Sequence, residues 1–380
     1  MSRRITNCHI HLFTLEHTPD RYPVSWLPKG VRNWLARTRT GHRITKSSLR
    51  GVGRLIGDDS LVRLSRFIAT GGLETQKDML RHVQRYYPSG TRFVVLPMDM
   101  SQMGAGDVCK DLGAQHDELA ALARDPEGGG AVIPFAAVDP RNPEHFSELR
   151  RCVEEYGFRG VKLYPPLGFD PSDRRLMEKV YPYCIEHDLP VLSHCSRGGV
   201  RGARLDKWSA NLLARPQAFK PVLESFPDLR VCLAHFGGGA AWEEYVKVGL
   251  DPADPEARKE NFLASLLDML RAEDAPGVRT YPGLYTDISY TSFNYEDYIP
   301  VLSVFLQDRR IRDRVLFGSD FYMTEQEELP ERSLSMRLRF ALGEEAFWQI
   351  AHENPKRWLG EMPAEDAPEA AVRVPEPQGA

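Results

Sequence analysis

The feature that most constrains this 380-residue chain is a regular alternation of short apolar runs with segments of helical periodicity. Several runs are continuous stretches rich in Val, Ile and Leu, as in parallel strands that helices cover on both faces. Eight such repeats predict an α/β protein with a (β/α)₈ TIM barrel, and an open doubly wound sheet is the rival architecture. The predicted strands cover residues 5–11, 91–97, 131–138, 158–164, 190–194, 230–235, 284–288 and 314–318. The predicted helices cover residues 74–86, 114–124, 143–156, 173–187, 255–271, 295–307, 331–342 and 345–358, with one more ending near residue 226.

One segment interrupts the alternation. Residues 18–72 contain Pro, Gly and Trp together with many Lys and Arg side chains. We predict a basic, partly helical insertion after the first strand, which is either a solvated surface or a lid with an anion-attracting rim. The barrel domain is expected to extend over residues 1–360. The tail at 361–380, rich in Pro, Ala and Glu, is expected to be disordered.

Composition argues against several classes of protein. The net charge of -4 and the pI of about 6.3 do not suit a nucleic-acid-binding protein. The six cysteines show no Cys-x-x-Cys spacing and are expected to be reduced thiols. No apolar stretch follows the basic N-terminal residues and none reaches the ~20 residues that cross a bilayer, so we expect neither a signal peptide nor a membrane segment. The sequence predicts a cytoplasmic protein with a small-molecule substrate, as a monomer or a homo-oligomer.

Histidines and an acid lie at the ends of the predicted strands. His9 and His11 are two residues apart in the first strand, so that their side chains share one face. His194 ends the fifth strand, His235 ends the sixth, and Asp320 follows the eighth. The carboxyl ends of all strands meet at one face of a closed barrel, where the first and eighth strands are neighbours. The sequence therefore predicts a metal site, whose imidazole and carboxylate ligands favour Zn²⁺, with Mn²⁺, Fe²⁺ and Co²⁺ as alternatives.

The order of these residues along the chain carries a resemblance to a known family. The pattern resembles the amidohydrolase superfamily: His-x-His on the first strand, then Lys162, His194, His235 and Asp320 on the fourth, fifth, sixth and eighth. The phrases Asn-Cys-His-Ile-His-Leu-Phe-Thr, Phe-Arg-Gly-Val-Lys-Leu-Tyr-Pro-Pro and Leu-Phe-Gly-Ser-Asp are similar to those of its amidohydrolase-related (amidohydrolase 2) branch. That branch contains metal-dependent hydrolases and nonoxidative decarboxylases. The resemblance implies a TIM-barrel metalloenzyme and leaves the substrate open.

Lys162 separates two versions of the site that the resemblance implies. In the binuclear version Lys162 is N-carboxylated and bridges two ions, one held by His9, His11 and Asp320 and the other by His194 and His235. Carbamate formation needs a neutral amine, which burial beside cations favours. In the mononuclear version Lys162 binds a substrate carboxylate and His235 is an acid, base or oxyanion partner, while a single ion is bound by His9, His11, His194 and Asp320. A structural salt bridge of Lys162 is the remaining alternative.

The resemblance favours hydrolysis, because the decarboxylases of that branch usually lack the lysine. We predict a metal-dependent hydrolase that directs metal-activated water at an amide, lactam, ester or lactone of a small anionic molecule, with Asp320 as the proton carrier. The alternative is a zinc-dependent nonoxidative decarboxylase or hydratase of an unsaturated or aromatic carboxylic acid. A barrel that serves only as a binding module is a third, disfavoured class.

Further contacts are expected beside the metal ligands. Arg197 and Arg201 lie in the loop after His194 and are candidates for a substrate carboxylate clamp, the alternative being a solvated loop. Tyr164 leaves its strand at the same rim and is expected to line the pocket. Asp287 ends the seventh strand and is expected to support an imidazole.

Overall fold

The structure of the protein, a computed structural model, describes residues 3–22, 75–126, 128–251, 254–326 and 329–362. The predicted insertion at 18–72 lies outside the described residues beyond residue 22. The predicted tail lies outside them beyond residue 362.

Short parallel strands form the centre of the fold. The strands are β1 (Thr6–Ile10), β2 (Arg92–Val95), β3 (Val132–Pro134), β4 (Ala136–Val138), β5 (Val161–Leu163), β6 (Val191–Ser193), β7 (Val231–Leu233), β8 (Glu273–Ala275), β9 (Val278–Arg279), β10 (Leu284–Asp287) and β11 (Val315–Leu316). One parallel sheet has the order β1–β2–β3 and the other the order β11–β10–β7–β6–β5–β4. The remaining two strands, β8 and β9, form a separate antiparallel hairpin.

The two parallel sheets meet at both edges. β3 and β4 are separated only by Phe135. At the other edge the amide of Cys8 in β1 donates to the carbonyl of Phe317 after β11 (2.8 Å), and the amide of Asp320 donates to the carbonyl of His9 (2.9 Å). The hydrogen-bonded ladders do not form one continuous ring. The strands nevertheless follow one another around the centre in chain order, as predicted for a (β/α)₈ barrel.

Helices alternate with these strands. They are α1 (Gln76–Gln84), α2 (Leu112–Arg124), α3 (His145–Arg150), α4 (Tyr181–Glu186), α5 (Lys207–Ala214), α6 (Lys220–Ser225), α7 (Gly239–Glu243), α8 (Pro255–Glu260), α9 (Phe262–Arg271), α10 (Tyr298–Phe305), α11 (Arg309–Arg312), α12 (Met323–Gln326), α13 (Glu331–Trp348) and α14 (Asn354–Trp358). No helix in the described ranges is long and apolar enough to span a membrane.

Several elements differ from the sequence prediction, and two of them have a clear physical reason. The predicted helix at 255–271 is two helices, because Asn261 leaves the helical conformation and its side chain caps α9 by accepting from the amide of Ala264 (3.0 Å). The predicted strand at 131–138 is interrupted at Phe135. The β8–β9 hairpin was not predicted, since its residues are largely exposed and carry no apolar alternation.

Lys162 lies among apolar side chains on the inner face of the sheet. Leu192 and Cys232 belong to a small buried cluster that also contains Trp358, whose ring centroid lies 5.4 Å from that of Phe135. In the strand register Lys162 pairs with Leu192, and Leu192 pairs with Cys232. Residues paired in register share a face, so Lys162 lies on the inner face together with this cluster.

Candidate active site

His9, His11 and Asp320 converge in a buried cluster. The Oδ1 atom of Asp320 lies 3.4 Å from Nε2 of His11 and 3.7 Å from Nε2 of His9. Among the described residues, His9 Nε2 and Asp320 Oδ1 have no hydrogen-bond partner, although both atoms are buried. Buried polar atoms of a native protein are normally paired, so these two atoms are available to contact a ligand. The three side chains form a group that could hold a metal ion.

The hydrogen bonds of the two imidazoles direct a lone pair from each ring into this cluster. Nδ1 of His11 lies 2.7 Å from the carbonyl oxygen of Leu96, which only accepts, so this nitrogen carries the proton. Nδ1 of His9 lies 2.9 Å from Oδ2 of Asp287 and is likewise the donor. In a neutral imidazole the other nitrogen is then an acceptor. Both Nε2 lone pairs therefore face the Asp320 carboxylate, an arrangement that suits a cation placed between them.

The backbone at Asp320 is held in an unusual conformation beside β1. Asp320 has a φ of 64°, in the left-handed region that costs free energy for a residue other than glycine. Gly318, two residues earlier, allows the close approach: a Cβ atom there would lie only 2.9 Å from that of His9. Phe321 continues the contact, since its carbonyl accepts from the amide of His11 (3.0 Å). These contacts fix the carboxylate against the histidine pair.

Asp287 and Ser289, at and just after the end of β10, connect His9 with His235. Oδ1 of Asp287 accepts from the backbone amide of His235 (3.0 Å), while Oδ2 receives the His9 ring proton. The Ser289 hydroxyl donates to Asp287 and lies 2.8 Å from Nδ1 of His235. Like Asp320, His235 has a positive φ, of 65°. The expected support of an imidazole by Asp287 is thus present in the structure.

His194 and His235 are bonded to each other. Nδ1 of His194 lies 3.1 Å from Nε2 of His235, and Nε2 of His194 lies 3.1 Å from the Ser196 hydroxyl. Since Nδ1 of His235 faces Ser289, both nitrogens of both rings have partners. The ring of Tyr164 stacks on His194 at a centroid distance of 4.5 Å. The structure therefore brings this pair beside the cluster of His9, His11 and Asp320, with its ring nitrogens already engaged.

Burial sets the charges of the site. It lowers the pKa of His9 to about 4 and also lowers the pKa values of His194 and His235, so these imidazoles are neutral at pH 7, the form that binds metals. The pKa of the Asp320 carboxyl is lowered from its usual value although burial by itself would raise it, and the carboxylate is ionised. Burial lowers the pKa of Lys162 to about 8, even though Asp320 and Asp287 attract its charge.

The two arginines predicted as a carboxylate clamp are engaged elsewhere. Both terminal nitrogens of the Arg197 guanidinium bind the carboxylate of Glu244. Arg201 is exposed, and its Nε donates to the carbonyl of Leu205 (2.9 Å). Neither side chain contacts the histidine cluster through a described hydrogen bond or ion pair, and their role in substrate binding remains a prediction.

Another group of side chains that could hold a metal ion consists of His116, Glu148 and Cys152. Its hydrogen bonds indicate that it stabilises the fold. Nδ1 of His116 lies 2.7 Å from the Glu148 carboxylate, and its Nε2 accepts from the amide of Ala137 (3.1 Å). With both ring nitrogens bonded, the histidine connects α2 with α3 and β4.

Sequence reasoning missed three groups at the site. Ser289 could have been found, because its spacing of two from Asp287 places both side chains on one face of an extended segment. Ser196 has the same spacing from His194. The carbonyl of Leu96 could not have been found, because a backbone acceptor leaves no signal in the residue type.

Comparisons with known proteins bear on this site. The chain matches the family model described as amidohydrolase over residues 6–360. A relative, the 2-keto-4-carboxy-3-hexenedioate hydratase of Sphingobium sp. (strain NBRC 103272 / SYK-6), is 34% identical over 116 residues, which is 27% of this chain and 33% of the relative. The match thus spans about a third of that relative's length.

Solved structures agree on the fold. The 5-carboxyvanillate decarboxylase LigW from Sphingomonas paucimobilis has a TM-score of 0.55 and 12% identity, covering 94% of this chain and 99% of its own. The 5-carboxyvanillate decarboxylase from Novosphingobium aromaticivorans DSM 12444, complexed with manganese and 4-hydroxy-3-methoxy-5-nitrobenzoic acid, has a TM-score of 0.52 and 13% identity, covering 94% and 96%. At these identities the likeness concerns the fold alone, and it confirms the predicted TIM-barrel class. Because the family match extends over nearly the whole chain, this protein belongs to the amidohydrolase family and is an enzyme of that family.

Proposed function

We propose that the protein is a metal-dependent lyase that acts on an unsaturated or aromatic carboxylic acid, either adding water to a double bond or releasing CO₂ without oxidation. The observation that carries the metal dependence is the convergence of His9 Nε2, His11 Nε2 and Asp320 Oδ1, three acceptor atoms that face one another. The reaction class is supported by the hydratase relative and by the decarboxylases of the same fold. Hydrolysis, which the sequence favoured, would use the same cation site but has less support from these relatives.

The residues present fit one divalent cation. Two imidazole nitrogens and a carboxylate are ligands that Zn²⁺ accepts, and Mn²⁺, Fe²⁺ and Co²⁺ also bind such sets. A structure of the same fold contains manganese, which makes Mn²⁺ a suitable probe. When bound, the cation would supply a Lewis-acid charge that stabilises negative charge on substrate oxygens. The hydrogen bonds of His194 and His235 to each other, Ser196 and Ser289 favour one ion over two, because these rings present no unbonded nitrogen to a second.

Asp320 is the proposed proton carrier, and His235 lies beside it. Both reactions need a proton delivered to or removed from a substrate atom by a group within hydrogen-bond reach. The Asp320 carboxylate is ionised at neutral pH and can take up a proton. Nδ1 of His235 lies 4.0 Å from Oδ2 of Asp320, with Ser289 bonded to the same nitrogen. This arrangement keeps His235 oriented beside the carboxylate, with both of its ring nitrogens bonded to other groups.

Lys162 and Tyr164 are proposed to hold the substrate. Lys162 is nearly fully buried and has no described ion-pair partner, so a substrate carboxylate would compensate its charge. With a pKa of about 8 the amine is mostly protonated at pH 7. Tyr164, which stacks on His194 and has the Lys162 amine 5.9 Å from its ring centroid, offers a flat surface beside that charge. An N-carboxylated Lys162 bridging two ions is the competing version.

The proposal can be tested by product analysis. The purified protein, supplied with Mn²⁺ or Zn²⁺, is incubated with a panel of unsaturated dicarboxylic acids, hydroxylated aromatic acids, lactones and amides. Mass spectrometry then distinguishes gain of water from loss of CO₂ and from cleavage of an amide or ester. The proposal expects turnover only among the carboxylic acids and its loss in Asp320→Asn. Turnover confined to lactones, esters or amides would contradict it and restore the hydrolase prediction.

A further inference from the structure

A buried hydrogen-bond network contacts the backbone segments that carry the proposed cation ligands. Its centre is Tyr87, which follows α1 and is mostly buried. The Tyr87 hydroxyl donates to Oε1 of Glu331 (2.5 Å) and accepts from Nδ2 of Asn7 (3.0 Å). Oε2 of Glu331 accepts from the hydroxyl of Thr324 (3.2 Å). The network thus connects β1, the segment after α1, α12 and the first residue of α13.

Asn7 joins the two segments that carry the proposed metal ligands. Its Oδ1 accepts from the backbone amides of His9 and Ser319, each at 3.2 Å. Its Nδ2 also donates to the Ser319 hydroxyl (2.9 Å), which in turn accepts from the amide of Phe321 (3.2 Å). Asp320 lies between Ser319 and Phe321. One amide side chain therefore fixes both the strand of His9 and the strained turn of Asp320.

Because these groups are buried, each of them needs a hydrogen-bond partner inside the protein. Asn7, Ser319 and Thr324 are fully buried, and Glu331 is 2% exposed. A buried polar network is favourable only when every member is satisfied, so removing one partner affects the others. In the described part of the chain no Lys or Arg forms an ion pair with Glu331, and its carboxyl is held by the hydroxyls of Tyr87, Ser319 and Thr324 instead. Burying the Glu331 carboxyl costs free energy. The network that holds this carboxyl extends to the two segments that carry His9 and Asp320, so we look for its role there.

We propose that Tyr87 and Glu331 are positioning residues, which orient Asn7 so that His9 and Asp320 keep the spacing that binds a cation. The inference rests on the cation site of the proposed function and adds the residues that set its geometry. Tyr87 and Glu331 do not touch the cation or substrate. They act through Asn7 on the backbone of the ligand segments.

The test measures Mn²⁺ binding to the metal-free, full-length protein by electron paramagnetic resonance. Tyr87→Phe removes the hydroxyl but keeps the ring, and is expected to weaken Mn²⁺ binding by about 10- to 100-fold and to alter the spectrum of the bound ion, as loss of groups supporting metal ligands typically does. Glu331→Gln still offers an acceptor to Tyr87 and is expected to bind within a few-fold of wild type. Glu331→Leu offers none and is expected to behave as Tyr87→Phe does.

Tyr181→Phe is the matched control. Tyr181 is another fully buried tyrosine, and its hydroxyl donates to the carbonyl of Pro171 (2.6 Å) outside this network. A purely structural role of Tyr87 predicts that both Tyr→Phe variants lower the melting temperature and neither changes Mn²⁺ affinity, which would overturn the proposal. Should Tyr87→Phe not fold, Ser319→Ala cuts the network at its other end. Weaker Mn²⁺ binding in that variant supports the proposal and wild-type affinity overturns it.

Mn²⁺ binding by wild type and by two variants distinguishes failure of the positioning role from failure of the cation site. If wild type binds Mn²⁺, His11→Ala abolishes binding and Tyr87→Phe binds as wild type does, the positioning role alone is refuted. If wild type itself binds no Mn²⁺, the cation site is refuted and the positioning role with it.

Discussion

Replacing Glu331 with Gln is expected to change how the stability of the protein depends on pH. Burial raises the pKa of the Glu331 carboxyl from 4.5 to about 7, with the charge of Glu325 adding to the increase and hydrogen bonds from Tyr87, Ser319 and Thr324 opposing it. Between these values the carboxyl is protonated in the folded chain and ionised in the unfolded chain. The folded state then binds more protons, so the stability contribution of Glu331 is fully present below pH 4.5 and is lost as the pH rises to about 7.

The size of this loss follows from the interval between the two pKa values. One pKa unit corresponds to about 1.4 kcal/mol, so the contribution of Glu331 to the free energy of unfolding falls by about 3 kcal/mol across the interval. Gln cannot titrate. The difference in unfolding free energy between wild type and Glu331→Gln should therefore shift by this amount, against wild type, between mildly acidic and slightly alkaline pH.

Urea unfolding of the metal-free proteins, followed by circular dichroism over this pH range, measures the effect. Glu344→Gln is the control, because Glu344 follows the non-helical kink at Gly343 within α13 and its exposed carboxylate binds Arg339. That variant should follow the wild-type pH dependence closely. Parallel curves for wild type and Glu331→Gln would exclude a raised pKa of Glu331, since they would mean that its carboxyl titrates alike in the folded and unfolded states.

Three further predictions concern the site. Asp320→Asn should abolish turnover in product assays while leaving the circular dichroism spectrum unchanged, because an amide cannot accept the proton; retained turnover would exclude Asp320 as proton carrier. Lys162→Ala should raise KM for a carboxylate substrate and leave the metal content at one ion per chain, whereas a fall from two ions to one would indicate the carbamate. Asp287→Asn should weaken Mn²⁺ binding about 10- to 100-fold, measured by titration, because His9 loses its anionic partner; unchanged affinity would contradict that role.

Much of the fold could be predicted because periodicity reports burial. The apolar runs at 91–97 and 190–194 contain β2 and β6, since both faces of such strands are covered. Breaks within elements were harder to predict. Asn261 ends one helix and caps the next. Within an apolar helical pattern, the sequence does not distinguish a capping Asn from an Asn inside a helix.

The part of the candidate site that lies at the ends of strands could be predicted from the sequence. His9, His11 and Asp320 come together because the first and last strands of the barrel are neighbours, which is a property of the fold and needs no side-chain detail. The supporting groups could not be predicted in the same way. Tyr87 and Glu331 lie on or beside helices, and the contacts of Tyr87 with Asn7 and with Glu331 depend on three-dimensional packing over separations of 80 residues or more.

The direction of side chains was also beyond the sequence. Arg197 follows His194 closely in the chain, yet its guanidinium binds Glu244. The bonding of His194 to His235 likewise depends on ring orientation. The order of the strands predicts where the backbone of these residues lies. The positions of their polar side-chain atoms depend on how the loops pack.

Anomalous scattering from a crystal of the protein grown with Mn²⁺ would locate the cation itself. We expect one strong peak per chain within bonding distance of His9 Nε2, His11 Nε2 and an Asp320 carboxylate oxygen, and its loss in His11→Ala. A peak that lies elsewhere, or no peak at this position, would exclude the proposed cation site.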